Sequence, residues 1–354
     1  MSDRAELQAL QQQSRAAPCA AADEALIDEI ARAALQGARE PLPARLDPRH
    51  GRQNIAVLVA QVIAWATTLS LLEWSLATLS PVWRIPTALL LVVFFCTLMQ
   101  GVFSLMHEYF HRLAHPSRRV NEAIGQLASL LFVTSGTLHR INHWSHHVRN
   151  RTPAEMGEYY FPSESRLGKT VLYYFAVLGG LYLAGILVPI LSIVIPYRVV
   201  AWLIHHPKRN TYTAAFEYFE PATWNAMRRD AVVAMLFWAG LLLYGPWSAT
   251  TLGLAYGAFA VSWSSLQWVY HLRTPIDVVE GAYNLRVPMP VRRLILNFNC
   301  NLTHHRRPHL PWQALYAATD QRETQPMWYR WLMVLLPPEP FPDEPAQLLG
   351  KRYF

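Results

Sequence analysis

Long apolar stretches alternate with polar, arginine-rich stretches along this 354-residue chain. The apolar stretches cover roughly residues 55–79, 84–106, 170–196 and 231–270. A helix needs about 20 apolar residues to cross a hydrocarbon core of about 30 Å, so each stretch is long enough. The last exceeds one crossing, and Gly245-Pro246 divides it into two helices, because proline cannot donate into a continuing helix. Ser80-Pro81 separates the first two stretches in the same way, so the pattern predicts an all-α integral membrane protein with two transmembrane helical hairpins.

The arginines predict the orientation of these hairpins. The two hairpin turns carry only Arg84, whereas the polar stretches are rich in arginine. Because cytoplasmic loops carry an excess of basic residues, we expect the polar stretches to form a cytosolic cap. A single crossing by 170–196 would put the basic stretch 198–229 outside. We therefore interpret 170–196 as re-entrant or interfacial, aided by Gly179-Gly180.

The composition fits a membrane protein, with 52% hydrophobic and 16% charged residues. We attribute the net charge of +7 to membrane topology and not to nucleic-acid binding. Three cysteines without a CxxC pair exclude a cysteine-based zinc ribbon or iron–sulfur cluster. The predicted organisation is a cytosolic N-terminal tail with one amphipathic helix (1–50), a membrane catalytic domain (51–320) and a C-terminal cytosolic tail (321–354).

Eight of the fourteen histidines fall into three clusters within the polar stretches. The first reads His-Glu-Tyr-Phe-His from His107 to His111, the second runs from His139 to His147, and the third contains His304 and His305. Neutral imidazole is a common ligand of iron and zinc, so the clusters predict a metal site at the membrane surface. His271, at the end of the last apolar stretch, returns to the same side and is an expected further ligand.

Helical spacing brings the histidines of each cluster onto one face, because residues at i, i+4, i+7 and i+8 lie within about 100° of arc. More imidazoles are available than one tetrahedral zinc needs, which favours two metals. We expect these ligands: His107, His111, His143, His146, His147, His271, His304 and His305. Four other residues are candidate ligands or partners of ligands: His139, Asn301, Asn297 and Glu108.

With these spacings the chain resembles the integral-membrane fatty acid desaturase and hydroxylase superfamily, whose signature is three histidine boxes, HxxxH, HxxHH and HxxHH. The first two boxes match at His107 and His143, and the third departs because Asn301 stands in place of its first histidine. The resemblance implies a di-iron centre that activates O2, a fatty acyl substrate, and an external electron donor of the ferredoxin, rubredoxin or cytochrome b5 type. Desaturation is the favoured outcome; decarboxylation to a terminal alkene and hydroxylation remain open.

Two other classes of protein compete with this interpretation. His107 to His111 is also a literal HExxH, the motif of zinc metalloproteases, in which the glutamate activates water. That reading leaves the second and third clusters unexplained. A transporter would place ionisable residues within its spans, where Glu73 is the one clear acid. No dinucleotide-binding fingerprint is present, so direct NAD(P)H binding is not expected.

Overall fold

The computed structural model describes residues 47–342, apart from 152–154, 163, 205–215 and 217. The predicted amphipathic helix of the N-terminal tail lies outside the described residues. The fold is mostly helical. In chain order the helices are α1 (Pro48–Thr78), α2 (Pro81–Phe110), α3 (Arg118–Leu131), α4 (Gly136–Arg149), α5 (Arg166–Phe175), α6 (Leu181–Val194), α7 (Tyr197–Ile204), α8 (Pro221–Tyr244), α9 (Ala249–His271), α10 (Met289–Leu294), α11 (Asn301–Arg306), α12 (Trp312–Ala318) and α13 (Met327–Val334).

The first helical hairpin consists of α1 and α2. Asp47 caps the start of α1 by accepting a hydrogen bond from the backbone N–H of Arg49, and Pro48 occupies the first turn, where its missing N–H costs nothing. The chain becomes extended at Leu79, and Pro81 opens α2. The break therefore falls where the sequence predicted it.

The second hairpin consists of α8 and α9, and its turn confirms the break predicted at Gly245-Pro246. Glu220 and Thr223 form a reciprocal capping box at the start of α8, and Ser248 caps α9. The two hairpins are joined near their turns, because the Glu73 carboxylate accepts hydrogen bonds from the backbone N–H and the hydroxyl of Ser248, both at 2.8 Å. Glu73 therefore serves as a contact between helices.

Three helical segments of the described chain are long and apolar enough to cross a membrane: Pro48–Thr78, Pro81–Phe110 and Arg166–Val194. The third consists of α5, a short π-helical stretch (Ala176–Gly180) and α6. It is kinked at Gly179, where φ is +118°, a conformation that glycine adopts without steric cost. This is the segment for which the sequence predicts a re-entrant or interfacial course.

The contacts of α5 follow α9 away from the histidines. Tyr173 packs against Trp268, one turn before His271, with 5.5 Å between the ring centroids. The kink at Gly179 lies beside Ala260, which is about two helical turns farther than Trp268 from His271 on α9. The first half of the segment therefore runs along α9 away from the end that carries His271.

The contacts of α6 lead back towards that end. The backbone N–H of Tyr182 donates to the Ser264 hydroxyl at 3.0 Å. The segment finishes at the first turn of α8, where Trp224 donates to the carbonyl of Ile195 at 3.2 Å. Since α8 and α9 form a hairpin, the first turn of α8 and the last turn of α9 lie on one side. Both ends of the segment contact that side, which supports the predicted re-entrant course.

Cysteine labelling in intact cells tests this topology. We expect single cysteines placed near Arg118, Arg151 and Arg306, in a chain whose native cysteines are replaced by serine, to be shielded from a membrane-impermeant thiol reagent. A cysteine near Pro246 should react. Reaction of a cysteine placed in 209–220 would contradict the re-entrant interpretation, because that stretch reaches the outer side only if 166–194 crosses the membrane.

Within the described part of the chain, four short strands connect segments that are distant in sequence. They are β1 (Tyr159–Tyr160), β2 (Asn284–Arg286), β3 (Thr324–Pro326) and β4 (Glu339–Pro340), and they pair in parallel as β1 with β4 and β2 with β3. Trp331 on α13 donates to the Ser265 hydroxyl on α9 at 3.0 Å. The part of 321–354 that the structure describes thus packs against the helical body.

Candidate metal centre

The eight histidines predicted as ligands lie on four helices, α2, α4, α9 and α11. His107 lies in the last turn of α2, and His111 caps that helix. The second cluster lies on α4, the third on the short α11, and His271 is the last residue of α9. Three segments that are far apart in sequence therefore meet the end of the second hairpin.

The histidines form two groups in which the ring nitrogens lie within 4.8 Å of one another. The five-histidine group contains His107, His111, His143, His147 and His304, and the three-histidine group contains His146, His271 and His305. The groups adjoin each other, because the ring centroids of His147 and His305 are 4.7 Å apart. All eight predicted ligands thus lie in one group or the other.

Ring nitrogens converge closely within the five-histidine group. The Nε2 atoms of His111 and His143 are 2.7 Å apart, and Nε2 of His147 is 2.9 Å from Nε2 of both His143 and His304. Nε2 of His107 is buried and has no hydrogen-bond partner. A buried nitrogen of this kind is costly unless something binds it, so the arrangement fits a cation at its centre.

The three-histidine group has ring centroids 4.6 to 5.2 Å apart. Nδ1 of His271 lies 2.9 Å from the carbonyl oxygen of Gly281, and Nδ1 of His146 lies 3.3 Å from the carboxylate of Glu155. Because a carbonyl oxygen can only accept, Nδ1 of His271 carries the proton and its Nε2 keeps the lone pair, and Nδ1 of His146 can donate to the carboxylate in the same way. Such a partner on the second nitrogen is usual for a metal-binding histidine.

Burial keeps His143 and His147 of α4 neutral. Desolvation holds the pKa of His143 and His147 well below the ordinary value, and neighbouring histidines lower both further. A proton on the ligand nitrogen would compete with a metal, so a neutral imidazole is the form that binds. The site is therefore prepared for a cation at neutral pH.

Polar contacts fix the start of the helices that carry the second and third clusters. Asp230 of α8 accepts hydrogen bonds from the Ser135 hydroxyl at 2.7 Å and from the backbone N–H of Thr137 at 3.0 Å, at the N-terminus of α4. At α11, the side-chain oxygen of Asn284 accepts from the backbone N–H of Thr303 at 3.0 Å. These contacts set the direction in which each helix presents its histidines.

The other four candidates lie outside both groups. His139 lies one turn before His143 within an aromatic layer, in contact with Phe103, Phe132 and Trp263. Burial lowers its pKa to about 4.

Asn297 does not share a helical face with the third cluster, because left-handed backbone at Leu296 and Asn297 separates α10 from α11. The Asn297 amide donates to the carbonyl of Trp312 at 2.9 Å. Glu108 accepts from the backbone N–H of Trp312 at 3.3 Å. Both residues therefore hold the chain that follows the third cluster.

Asn301 is the first residue of α11, and its amide oxygen is buried without a hydrogen-bond partner. It lines a small cavity together with His107, Glu108 and His304. The cavity has about the volume of one water. Asn301 thus faces the five-histidine group across a space that suits a bound water.

Sequence reasoning missed the residues that contact the histidines or the helices that carry them, namely Asn150, Glu155, Asp230, Gly281 and Asn284. Asn284 begins β2, Asp230 lies on α8, and the other three lie in turns or bends. The one signal available in the sequence is Asn150, three residues after the second cluster, since asparagine is one of the residues found at helix ends.

Comparison with known proteins agrees with the geometry. The family model described as fatty acid desaturase matches residues 86–335, which is more than half of the chain and includes every histidine of both groups. No curated protein has significant similarity to the sequence. The family implies an oxidoreductase that works on fatty acyl chains at a membrane. The chain belongs to the fatty acid desaturase family.

Proposed function

We propose that this protein is an O2-dependent desaturase of fatty acyl chains that binds one iron in each histidine group. The observation that carries the proposal is the pair of adjoining histidine groups within the region matched by the desaturase family. Electrons come from an external donor of the ferredoxin, rubredoxin or cytochrome b5 type, in keeping with the lack of a dinucleotide fingerprint.

The donor set of the five-histidine group supports iron over zinc. Structural and catalytic zinc sites use three or four protein ligands in a tetrahedral arrangement, and the larger group offers five imidazoles. Imidazole also suits iron, and no cysteine contributes to either group. When bound, the irons would supply activation of O2 for attack on an unactivated C–H bond.

The aromatic layer beneath the histidines suits an apolar substrate. Phe103 lies one turn before His107 on α2, and Trp263 lies two turns before His271 on α9, so both are on the membrane side of the groups. Their rings and that of Phe132 are 5.2 to 5.5 Å apart. These buried side chains exclude water from the inner face of the centre, so an acyl chain that reaches it would lie in apolar surroundings.

The zinc-protease interpretation of His107 to His111 has less support. An HExxH site uses two histidines and one further ligand, whereas His107 and His111 lie with three more histidines. The carboxylate of Glu108 accepts a hydrogen bond from the backbone of Trp312. The carboxylate thus fixes the backbone at Trp312.

Gas chromatography of lipids and headspace from cells that express the chain tests the proposed reaction. We expect acyl chains with a new internal double bond, absent from cells that express His143→Ala. A hydroxy acid would indicate hydroxylation, and a volatile terminal alkene would indicate oxidative decarboxylation. Either product would replace desaturation as the assigned reaction while leaving the metal centre in place.

A further inference from the structure

The segment that follows α9 folds back over the three-histidine group. His271 ends α9, and ten residues later the carbonyl of Gly281 returns to accept its Nδ1 proton at 2.9 Å. Asp277 shapes the turn between them, since its carboxylate accepts from the backbone N–H groups of Val279 and Glu280, both at 2.7 Å. The orientation of the His271 ring therefore depends on where this segment holds Gly281.

Asn150 holds that carbonyl in place. Its side-chain amide donates to the carbonyl oxygens of Gly281 and Val278, both at 3.1 Å. Its own backbone N–H donates to the carbonyl of His146 at 2.7 Å. One residue therefore connects His146, through the backbone, to the group that orients His271. Asn150 is 1% exposed, so water does not replace these bonds when they are lost.

Close packing adds to the constraint at Gly281. A side chain there would meet Cγ of Arg151 at 2.1 Å and the carbonyl oxygen of Asp277 at 2.3 Å. Arg151 is itself fixed, because its guanidinium pairs with the buried carboxylate of Glu158 and donates to the carbonyl of Thr274 at 3.2 Å. The segment thus packs closely against the end of α4 at Gly281.

We propose that Asn150 is a positioning residue for the metal of the three-histidine group. Its amide fixes the Gly281 carbonyl, and that carbonyl turns His271 so that Nε2 faces His146 and His305. The inference rests on the proposed function, in that both histidine groups bind iron. It assigns Asn150 an effect on one of the two irons, which a general role in folding would not produce.

Iron content of the purified full-length protein tests the assignment. Asn150→Asp keeps the size of the side chain and replaces the donating amide by a carboxylate that faces two carbonyl oxygens. Loss of a partner that orients a metal-binding histidine lowers metal affinity by about 10–100-fold, so we expect iron to fall from about two to about one per chain. His271→Ala should give the same content, and the double variant should lose no more. The Mössbauer spectrum of Asn150→Asp should match that of His271→Ala.

Asn54→Asp is the matched control. Asn54 is equally buried and its amide donates to the carbonyls of Leu113 and Ala114, but it does not contact the three-histidine group. We expect it to retain the iron of that group. If Asn150→Asp does not fold, judged by gel filtration in detergent, Asn150→Ser provides a shorter donor for the same comparison.

The results separate the inference from the proposed function. Parent protein with about two irons and an Asn150 variant with the same content and the same spectrum would overturn the inference alone. Loss of both irons together in a folded Asn150 variant would also overturn it, since the effect would not be confined to one group. Parent protein that binds fewer than two irons would refute the proposed di-iron centre and the role of Asn150 with it.

Discussion

His143→Ala is expected to remove the iron of the five-histidine group and to abolish turnover. His143 is central to that group, because its Nε2 lies within 2.9 Å of Nε2 of both His111 and His147. Partners outside the ligand set already change metal affinity by 10–100-fold, so removal of a ligand should lower activity by more than about 100-fold. His304→Ala, which truncates the same group from α11, should have the same effect.

Metal analysis of matched variants shows whether the two groups are separate sites. We expect about two irons per chain in the parent, with His143→Ala retaining the iron of the three-histidine group and His305→Ala retaining that of the five-histidine group. His309→Ala removes an exposed histidine just beyond the third cluster and should keep both irons and full activity. A parent protein with one zinc per chain and peptidase activity would contradict the di-iron proposal and favour the HExxH interpretation.

The sequence was sufficient to predict which histidines of each cluster share a helix face, because that information is local. An imidazole every three or four residues on a helix lies on one face whatever the rest of the chain does. The hairpin breaks at Pro81 and Gly245 were also predictable, since proline and glycine act on the backbone of their own neighbourhood. Both kinds of inference need no knowledge of tertiary contacts.

The division of the histidines into two groups was not predictable, because it depends on how separate segments approach one another. His146 and His147 are adjacent in sequence, yet they belong to different groups. Which of them meets His271 depends on the packing of α4 against the end of α9. The contact between Asn150 and Gly281 joins residues 131 positions apart, and no local pattern marks either as a partner.

The course of the kinked segment was predictable only in part. Glycines at 179 and 180 indicated a departure from a regular helix, and the structure places the kink at Gly179. The direction of the chain after the kink follows from long-range bonds, such as that from Trp224 to the carbonyl of Ile195. Composition alone describes the segment as a span, whereas its contacts support a return to the histidine side.

Asn301 is the position where the third histidine box departs from the family pattern, and substitutions there should separate metal binding from reaction outcome. Its amide oxygen has no hydrogen-bond partner and faces a small cavity that His107 and His304 also line. If the amide coordinates iron or orders a ligand water, Asn301→Ala should cost most of the activity, a loss of about 10–100-fold. Asn301→His should retain iron and shift the product distribution, because imidazole is a stronger donor than an amide oxygen.

Iron content and gas chromatography of products, measured on the same preparations, distinguish these roles. Asn297→Ala is the control from the same stretch of chain, since Asn297 contacts the Trp312 carbonyl and neither histidine group. We expect it to keep the parent's iron and products. If Asn301→Ala and Asn301→His both behave like the parent, Asn301 only packs on its helix face. His139 would then be the remaining predicted ligand outside the two groups, and loss of iron in His139→Ala would require its ring to move out of the aromatic layer.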